Sequence, residues 1–243
     1  MKTTTVRLIE AAFETAVSSR LVEPVAIIGD AGVGKTTALT HIAGKRTKVA
    51  FVTVTPTNRR LKAMLAMAVA AFRIPTDAFY AADLASALEY NLEYLVADGW
   101  CLVVDEVQLL DAEAVFQLCK YTELFRLPLI LAGNSHSLKR TRATASAIEQ
   151  VRSRIGRWVI IDGVSADDIR EFAIDANVEG REAHELLVRY GRQASLRELA
   201  RLLDEARTFA GEGGSIRLAA LHEALASIHG PKRTNEILNP KGD

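Results

Sequence analysis

The chain has 243 residues with 30 basic and 30 acidic side chains, so its formal charge is zero and any anion-binding surface has to come from local clustering. With 49% hydrophobic residues it has an ordinary globular composition, enough to core one large or two unequal domains. No apolar stretch reaches membrane-spanning length, and the two cysteines, Cys101 and Cys119, lack metal-ligand spacing.

Met1 to Thr5 leads into a helical pattern over 6–19 (Leu8, Ile9, Ala12, Phe13, Val17) rather than into a signal-type apolar core. Together with the two apolar-embedded cysteines this gives the expectation of a soluble cytoplasmic protein in a reducing setting. Val25 to Ile28 reads as a buried strand. It breaks into Gly29-Asp30-Ala31-Gly32-Val33-Gly34-Lys35-Thr36, followed by the helix-forming Thr37 to Ala43. This is a phosphate-binding loop in its full context, strand before and helix after. Glycines at 29, 32 and 34 let backbone N–H groups turn inward around an anion. Lys35 supplies a point charge, the Thr36 hydroxyl can ligate Mg²⁺, and the helix N-terminus adds partial positive charge. The nucleotide-binding set is therefore Gly29, Asp30, Ala31, Gly32, Val33, Gly34, Lys35, Thr36 and Thr37, with ATP as the ligand.

A β-rich run follows over 48–55, ending at Pro56, and then a helix over 58–72 that carries Arg59, Arg60 and Lys62 in its first turn. Cations there oppose the helix dipole, which is tolerable when an anion sits beside them; the plainer alternative is a solvated basic turn. A helix over 83–97 leads to an apolar strand over 100–104 that ends in Asp105-Glu106. At the carboxyl edge of a parallel sheet Asp105 lies near the phosphate loop, where it can share the Mg²⁺, and Glu106 can act as general base on a water. Gln108 either couples this edge to a partner or is a solvated helix-start residue. After a helix over 112–125, the strand 127–132 ends in Gly133-Asn134, whose amide can bond the γ-phosphate or the lytic water, or else is turn chemistry.

Between Asn134 and the last strand (158–161), Lys139, Arg140, Arg142, Arg152, Arg154 and Arg157 face one acid, Glu149. Such bias asks for an anionic partner: DNA phosphates, or a γ-phosphate held on an adjacent subunit, for which the arginine fork is suited. Arg154, then Arg152 or Arg157, is assigned to the neighbour's nucleotide. Arg59, Arg60, Lys62, Lys139, Arg140 and Arg142 are the DNA candidates, with 139–142 the weaker set and packing between subunits the alternative for it. From 166 onward strands give way to four helical patterns (166–177, 181–190, 195–210, 216–228). The division expected is a nucleotide-binding domain over 1–163, a helical lid over 164–230 and a flexible tail over 231–243. In the lid, Ser195 and Glu198 fit a capping box, and Arg197 either reaches over the nucleotide or stays on the surface.

Alternating strands and helices give an α/β fold with a parallel, doubly wound sheet. The ordered set of the phosphate loop, Asp105-Glu106, Asn134, the Arg152–Arg157 cluster and the Gly191–Arg197 turn resembles the AAA+ ATPases over roughly residues 5–230. That resemblance implies a P-loop AAA+ core with a parallel five-stranded sheet and a C-terminal helical lid. Within the superfamily, the compact size and the Asp-Glu-Val-Gln strand end are similar to the transposition target-DNA activators of the Mu B and Tn7-like type. This implies ATP- and Mg²⁺-dependent assembly on double-stranded DNA into a helical or ring-like homo-oligomer that recruits a transposase. The Mu B type carries an N-terminal DNA-binding domain, whereas only about twenty residues precede the first strand here, so DNA contact is expected from the ATPase domain itself. Alternatives are a helicase-loader or secretion-type AAA+ ATPase and, from another class, a P-loop small-molecule kinase.

Overall fold

A computed structural model describes residues 3–18, 22–134 and 152–238. Lys139, Arg140 and Arg142 lie outside the described residues. The chain divides into two compact units. One comprises residues 6–30 and 35–161; the other gathers residues 1–5, the loop tip 31–34 and residues 162–243.

The larger unit is built on five strands, β1 (Val25–Gly29), β2 (Val49–Thr53), β3 (Cys101–Asp105), β4 (Leu129–Gly133) and β5 (Arg157–Ile161). Every pair is parallel, in the order β2-β3-β4-β1-β5. The three inner strands are apolar at nearly every position and fully buried, as a sheet covered on both faces requires. The edge strand β2 alternates in exposure, and edge strand β5 leaves Trp158 and Ile160 in part open to solvent. The helices are α1 (Thr4–Ser18), α2 (Lys35–Gly44), α3 (Leu61–Ala71), α4 (Ala81–Ala97) and α5 (Ala112–Phe125). Met64, Leu65, Leu88, Leu92, Leu118 and Tyr121 of α3, α4 and α5 recur at helical spacing and enter one core with Leu102, Val104 and Leu131 of the sheet. Cys101 and Cys119 are buried free thiols, pushed up to about 12 and about 11 by desolvation, so neither presents a thiolate.

The helix expected over 58–72 begins later, at Leu61. Asn58 folds its side-chain carbonyl onto the Thr55 N–H at 2.6 Å, and the Arg59 carbonyl accepts the Asp111 N–H at 3.0 Å. Arg59 and Arg60 therefore precede α3, and Lys62 is the cation in its first turn.

The second unit holds α6 (Ala166–Asp175), α7 (Arg181–Gly191), α8 (Leu196–Ala210) and α9 (Leu218–Leu238). Its core is largely leucine, with Leu187, Leu199, Leu202, Leu221 and Leu225 buried around Ile169. Ser165 caps α6 by accepting the Asp168 N–H at 3.0 Å, and Ser195 and Glu198 form a reciprocal capping box at α8. α9 kinks at Gly230 (φ 74°, ψ 164°) ahead of Pro231, and helix resumes through residue 238, where the start of a flexible tail was expected. No helix among the described residues is long and apolar enough to cross a membrane.

Candidate active site

The sheet order brings the carboxyl ends of three neighbouring strands together: β1 running into the glycine loop, β4 running into Asn134, and β3 ending in Asp105. In a parallel sheet this edge is where ligands bind. Gly32 and Gly34 have φ of 83° and 88°, a region that a side chain rarely adopts, and this bends the loop. Lys35 opens α2 and is largely buried. Its ammonium donates to the Gly29 carbonyl at 2.7 Å and the Asp30 carbonyl at 2.8 Å. Burial holds its pKa below the usual lysine value, against the opposing pull of Glu106, Asp105 and Asp30. The lysine thus stands among three carboxylates and the Gly29 and Asp30 carbonyls.

The next side chain, Thr36, donates its hydroxyl to Asp105 Oδ2 at 2.6 Å. Asp105 is completely buried, and its other oxygen accepts the Glu106 N–H at 2.9 Å. Glu106 itself has left-handed backbone (φ 58°, ψ 34°), which costs a non-glycine residue ~1 kcal/mol or more. This turn swings the chain out of β3 into a short 3₁₀ segment, Val107–Leu109. From there Gln108 donates its amide to Glu106 Oε2, and its carbonyl oxygen accepts the Asn134 N–H at 3.1 Å. Lys35, Thr36, Asp105, Glu106 and Asn134 are therefore brought to one edge, and Gln108 ties two of them.

A Thr hydroxyl and a carboxylate in contact are a hard-oxygen donor pair that suits Mg²⁺, an ion that takes one or two protein ligands and completes its shell with water and phosphate. Among the described residues no group of three or more His, Cys, Asp or Glu is placed to hold a metal alone. The donor set fits Mg²⁺ carried in with a nucleotide and offers no all-protein cage.

The arginines expected to act across a subunit boundary are engaged within the chain. Arg154 pairs with Glu123 and lays its guanidinium carbon 4.6 Å from the Phe116 ring centre. Arg152 stands 5.8 Å from the Trp158 ring, and Arg157 donates to the Thr15 hydroxyl at 2.8 Å. Just before α3, Arg59 lies 3.8 Å from Asp111, and in its first turn Lys62 caps the Phe79 ring at 3.7 Å. Arg59, Arg60 and Lys62 line one shallow hollow with Pro56 and Thr57. In the second unit, which includes the loop tip, a Cβ added at Gly32 would stand 2.7 Å from Ser195 Cβ and 3.7 Å from Arg197 Cβ. Arg197 is thus rooted beside the loop, on the helix whose start Ser195 caps.

The bridge through Gln108 was left open by the sequence. Its signal is Gly133: a Cβ there would meet Gln108 Oε1 at 2.6 Å, so the glycine beside Asn134, for which turn chemistry was only the alternative, is a clearance for a side chain.

Residues 23–141 match the family model described as an AAA domain. The fold is that of the AAA+ P-loop ATPases. Solved structures with this fold include the ORC2 protein of Aeropyrum pernix in its ADPNP–ADP complexes (TM-score 0.64, 20% identity, 91% of this chain and 66% of that one). Cdc6p from Pyrobaculum aerophilum is similar at 0.64 and 13% identity, over 92% of this chain and 66% of that one. The RuvB Holliday junction branch migration motor of Thermotoga maritima aligns at 0.52 and 18% identity, over 97% and 76%. The chain thus spans 66% of the length of the ORC2 and Cdc6p chains. No curated protein sequence matches it.

Proposed function

We propose that this chain is an ATP-hydrolysing AAA+ protein that assembles on double-stranded DNA. The observation that carries the reading is the joined constellation of Lys35, Thr36, Asp105 and Glu106 at the carboxyl edge of β1 and β3. The loop N–H groups and Lys35 bind the β- and γ-phosphates, the lysine exchanging backbone carbonyls for phosphate oxygens. Thr36 and Asp105 would hold Mg²⁺, which when bound neutralises charge on the phosphates. Glu106 takes a proton from water as its oxygen bonds to the γ-phosphorus. The bond from that phosphorus to the bridging oxygen breaks, and ADP leaves with inorganic phosphate. Asn134 orients the water or the γ-phosphate, and Arg197 senses the nucleotide from the helical unit. Arg154, Arg152 or Arg157 completes the site on a neighbouring copy.

The DNA part of the reading is supported by the basic hollow of Arg59, Arg60 and Lys62 in a neutral chain, with Lys139, Arg140 and Arg142 as a second set. It also draws on the fold shared with a protein whose name is that of a Holliday junction motor. The finer reading is a transposition ATPase of the Mu B and Tn7-like type, forming a filament or ring in the cytoplasm, selecting target DNA and recruiting a transposase that stimulates hydrolysis. Its support is the order of motifs and the Asp-Glu-Val-Gln strand end. Fluorescence anisotropy with labelled duplex DNA tests the whole, measured with ATP, with ADP and without nucleotide. Binding that strengthens with ATP and falls with ADP is expected, and DNA affinity indifferent to nucleotide overturns it.

A further inference from the structure

The geometry points to Gln108 as a positioning residue that sets the direction of the Glu106 carboxylate by tying it to the end of β4. The inference deepens the ATPase reading and, as a statement about catalysis, rests on it.

Glu106 follows the last residue of β3, and its backbone leaves the sheet through a left-handed turn, so the strand no longer directs its side chain. Its main-chain N–H is held by Asp105, which fixes the peptide and leaves the carboxylate to find its own direction. Gln108 supplies the missing restraint. A glutamine carboxamide has a donor end and an acceptor end. Here the donor end meets Glu106 Oε2, and the acceptor end takes the Asn134 N–H at 3.1 Å. Both ends are satisfied, and the group cannot be reversed without setting its carbonyl against a carboxylate and its NH₂ against an N–H. The space is reserved for it. At Gly133 a Cβ would stand 2.6 Å from Gln108 Oε1 and 2.9 Å from Val107 Cγ1. The bridge therefore requires three residues at once: a glutamine two past the glutamate, a glycine ending β4, and a main-chain N–H at 134 that faces the glutamine. Water attack needs the base within hydrogen-bond reach, and small misplacements of a catalytic group are costly in rate. Gln108 touches neither water nor phosphate in this scheme and acts through Glu106.

The test separates the two ends of the carboxamide. Gln108→Glu keeps the size and the acceptor toward Asn134 but replaces the donor with a second carboxylate; Gln108→Met removes both. Steady-state ATP turnover with duplex DNA, the dissociation constant of a fluorescent ATP analogue, and the thermal midpoint are measured for each, with Glu106→Gln as the reference for loss of the base. The expected result is a drop in kcat of about tenfold or more for both variants, with nucleotide affinity within about twofold of the parent. If Gln108→Glu turns over like the parent, the donor end positions nothing and the inference is overturned. Equal losses in affinity and kcat, matched by a collapsed thermal midpoint, overturn it in favour of a role in folding alone. If the parent protein hydrolyses no ATP, the ATPase reading and the catalytic part of this inference fall together, whereas the bridge is judged separately by thermal unfolding. Gly133→Ala should destabilise the parent more than it destabilises Gln108→Ala, because the nearer overlap is with the Gln108 side chain and only the one with Val107 remains when that side chain is cut back; equal destabilisation in both backgrounds removes the bridge.

Discussion

The Thr36 hydroxyl and the Asp105 carboxylate meet at 2.6 Å, joining the first turn of α2 to the end of β3 across a sequence separation of 69 residues. Neither partner is spare: Asp105 is fully buried, and a buried carboxylate that loses a hydrogen bond forfeits about 1–3 kcal/mol. Mg²⁺ entering with a nucleotide would compete for the same two oxygens. Nucleotide affinity of the parent should therefore fall on chelation by EDTA. Thr36→Ala and Asp105→Ala should each bind weakly with or without Mg²⁺, and the double variant should lose little more than either single one. Calorimetric titrations of ATP at fixed and at chelated Mg²⁺ check this, and additive losses would place the two residues in separate roles.

Lys35 makes its two hydrogen bonds to the carbonyls of its own loop. Lys35→Ala should leave the fold standing, since loop carbonyls can turn to water. It should reduce ATP affinity by roughly 10- to 100-fold, the equivalent of one charge-assisted hydrogen bond at about 1.5–3 kcal/mol. Circular dichroism and nucleotide titration on the same sample distinguish the two effects. A variant that unfolds would mean that the ammonium is needed to hold the loop.

What the sequence made legible was local. The loop between Gly29 and Thr36, the apolar runs of the inner strands and the capping box at Ser195 are each written in a few consecutive residues, and each forms where expected. Features fixed by distant chain segments were less legible. The placement of β4 between β3 and β1, which lines up Asn134 with Asp105 and the loop, depends on pairing across roughly a hundred residues. The start of α3 was misplaced because Asp111 bonds the Arg59 carbonyl, a contact no local pattern encodes. Arg154 was assigned to a neighbour's nucleotide, and no local pattern tells that its guanidinium also sits on Phe116 and pairs with Glu123, both on α5.

The helical unit contains a pH-sensitive contact. Tyr190 Oη and His229 Nε2 lie 3.0 Å apart, and burial, then the nearby Arg233, holds the imidazole below its ordinary pKa; Glu198 pulls the other way and Arg201 adds to the depression. The unfolded chain, with the ordinary value near 6.5, takes up a proton that the folded chain resists. Stability of this unit should therefore be full above that value and decline as pH falls from about 6.5 through the lower folded pKa. His229→Gln should flatten this part of the profile. Thermal midpoints between pH 5 and pH 8 read it, and a midpoint that rises on acidification in that range contradicts the sign.

Ser195 accepts the Glu198 N–H at 3.2 Å while its own N–H donates to Glu198 at 2.8 Å. Bonds from Ser195 hold the Glu198 carboxyl below its ordinary range, chiefly through the backbone N–H and then the hydroxyl. Ser195→Ala should cost about 1 kcal/mol in the stability of this unit. The carboxylate's share is present above its unfolded pKa and is lost as pH falls through the folded one, so Glu198→Gln should behave like the parent at low pH and fall behind it near neutrality. Because Ser195 also packs against Gly32, Gly32→Ala should raise the Michaelis constant for ATP by displacing the loop tip, and adding Ser195→Gly, which removes both the Cβ and the Oγ that the new methyl would meet, should relieve the crowding.

Assembly is tested by complementation. Arg154 is anchored on α5 by Glu123 and Phe116, which holds it in one place instead of leaving it to sample solvent. A guanidinium held in this way can be presented to a neighbouring copy at low entropic cost. Arg154→Ala keeps Lys35 and binds ATP like the parent; Lys35→Ala keeps Arg154 and binds ATP only weakly. Each alone should turn over slowly, and mixing them on duplex DNA should restore part of the parental rate, since some seams then pair an intact loop with an intact arginine. Recovery should depend on protein concentration and vanish when DNA is omitted. If the mixture is no faster than the sum of its parts while Arg152→Ala or Arg157→Ala complements Lys35→Ala, the role passes to that arginine. If none of the three complements, the triphosphate is turned over within a single copy and the proposed assembly fails.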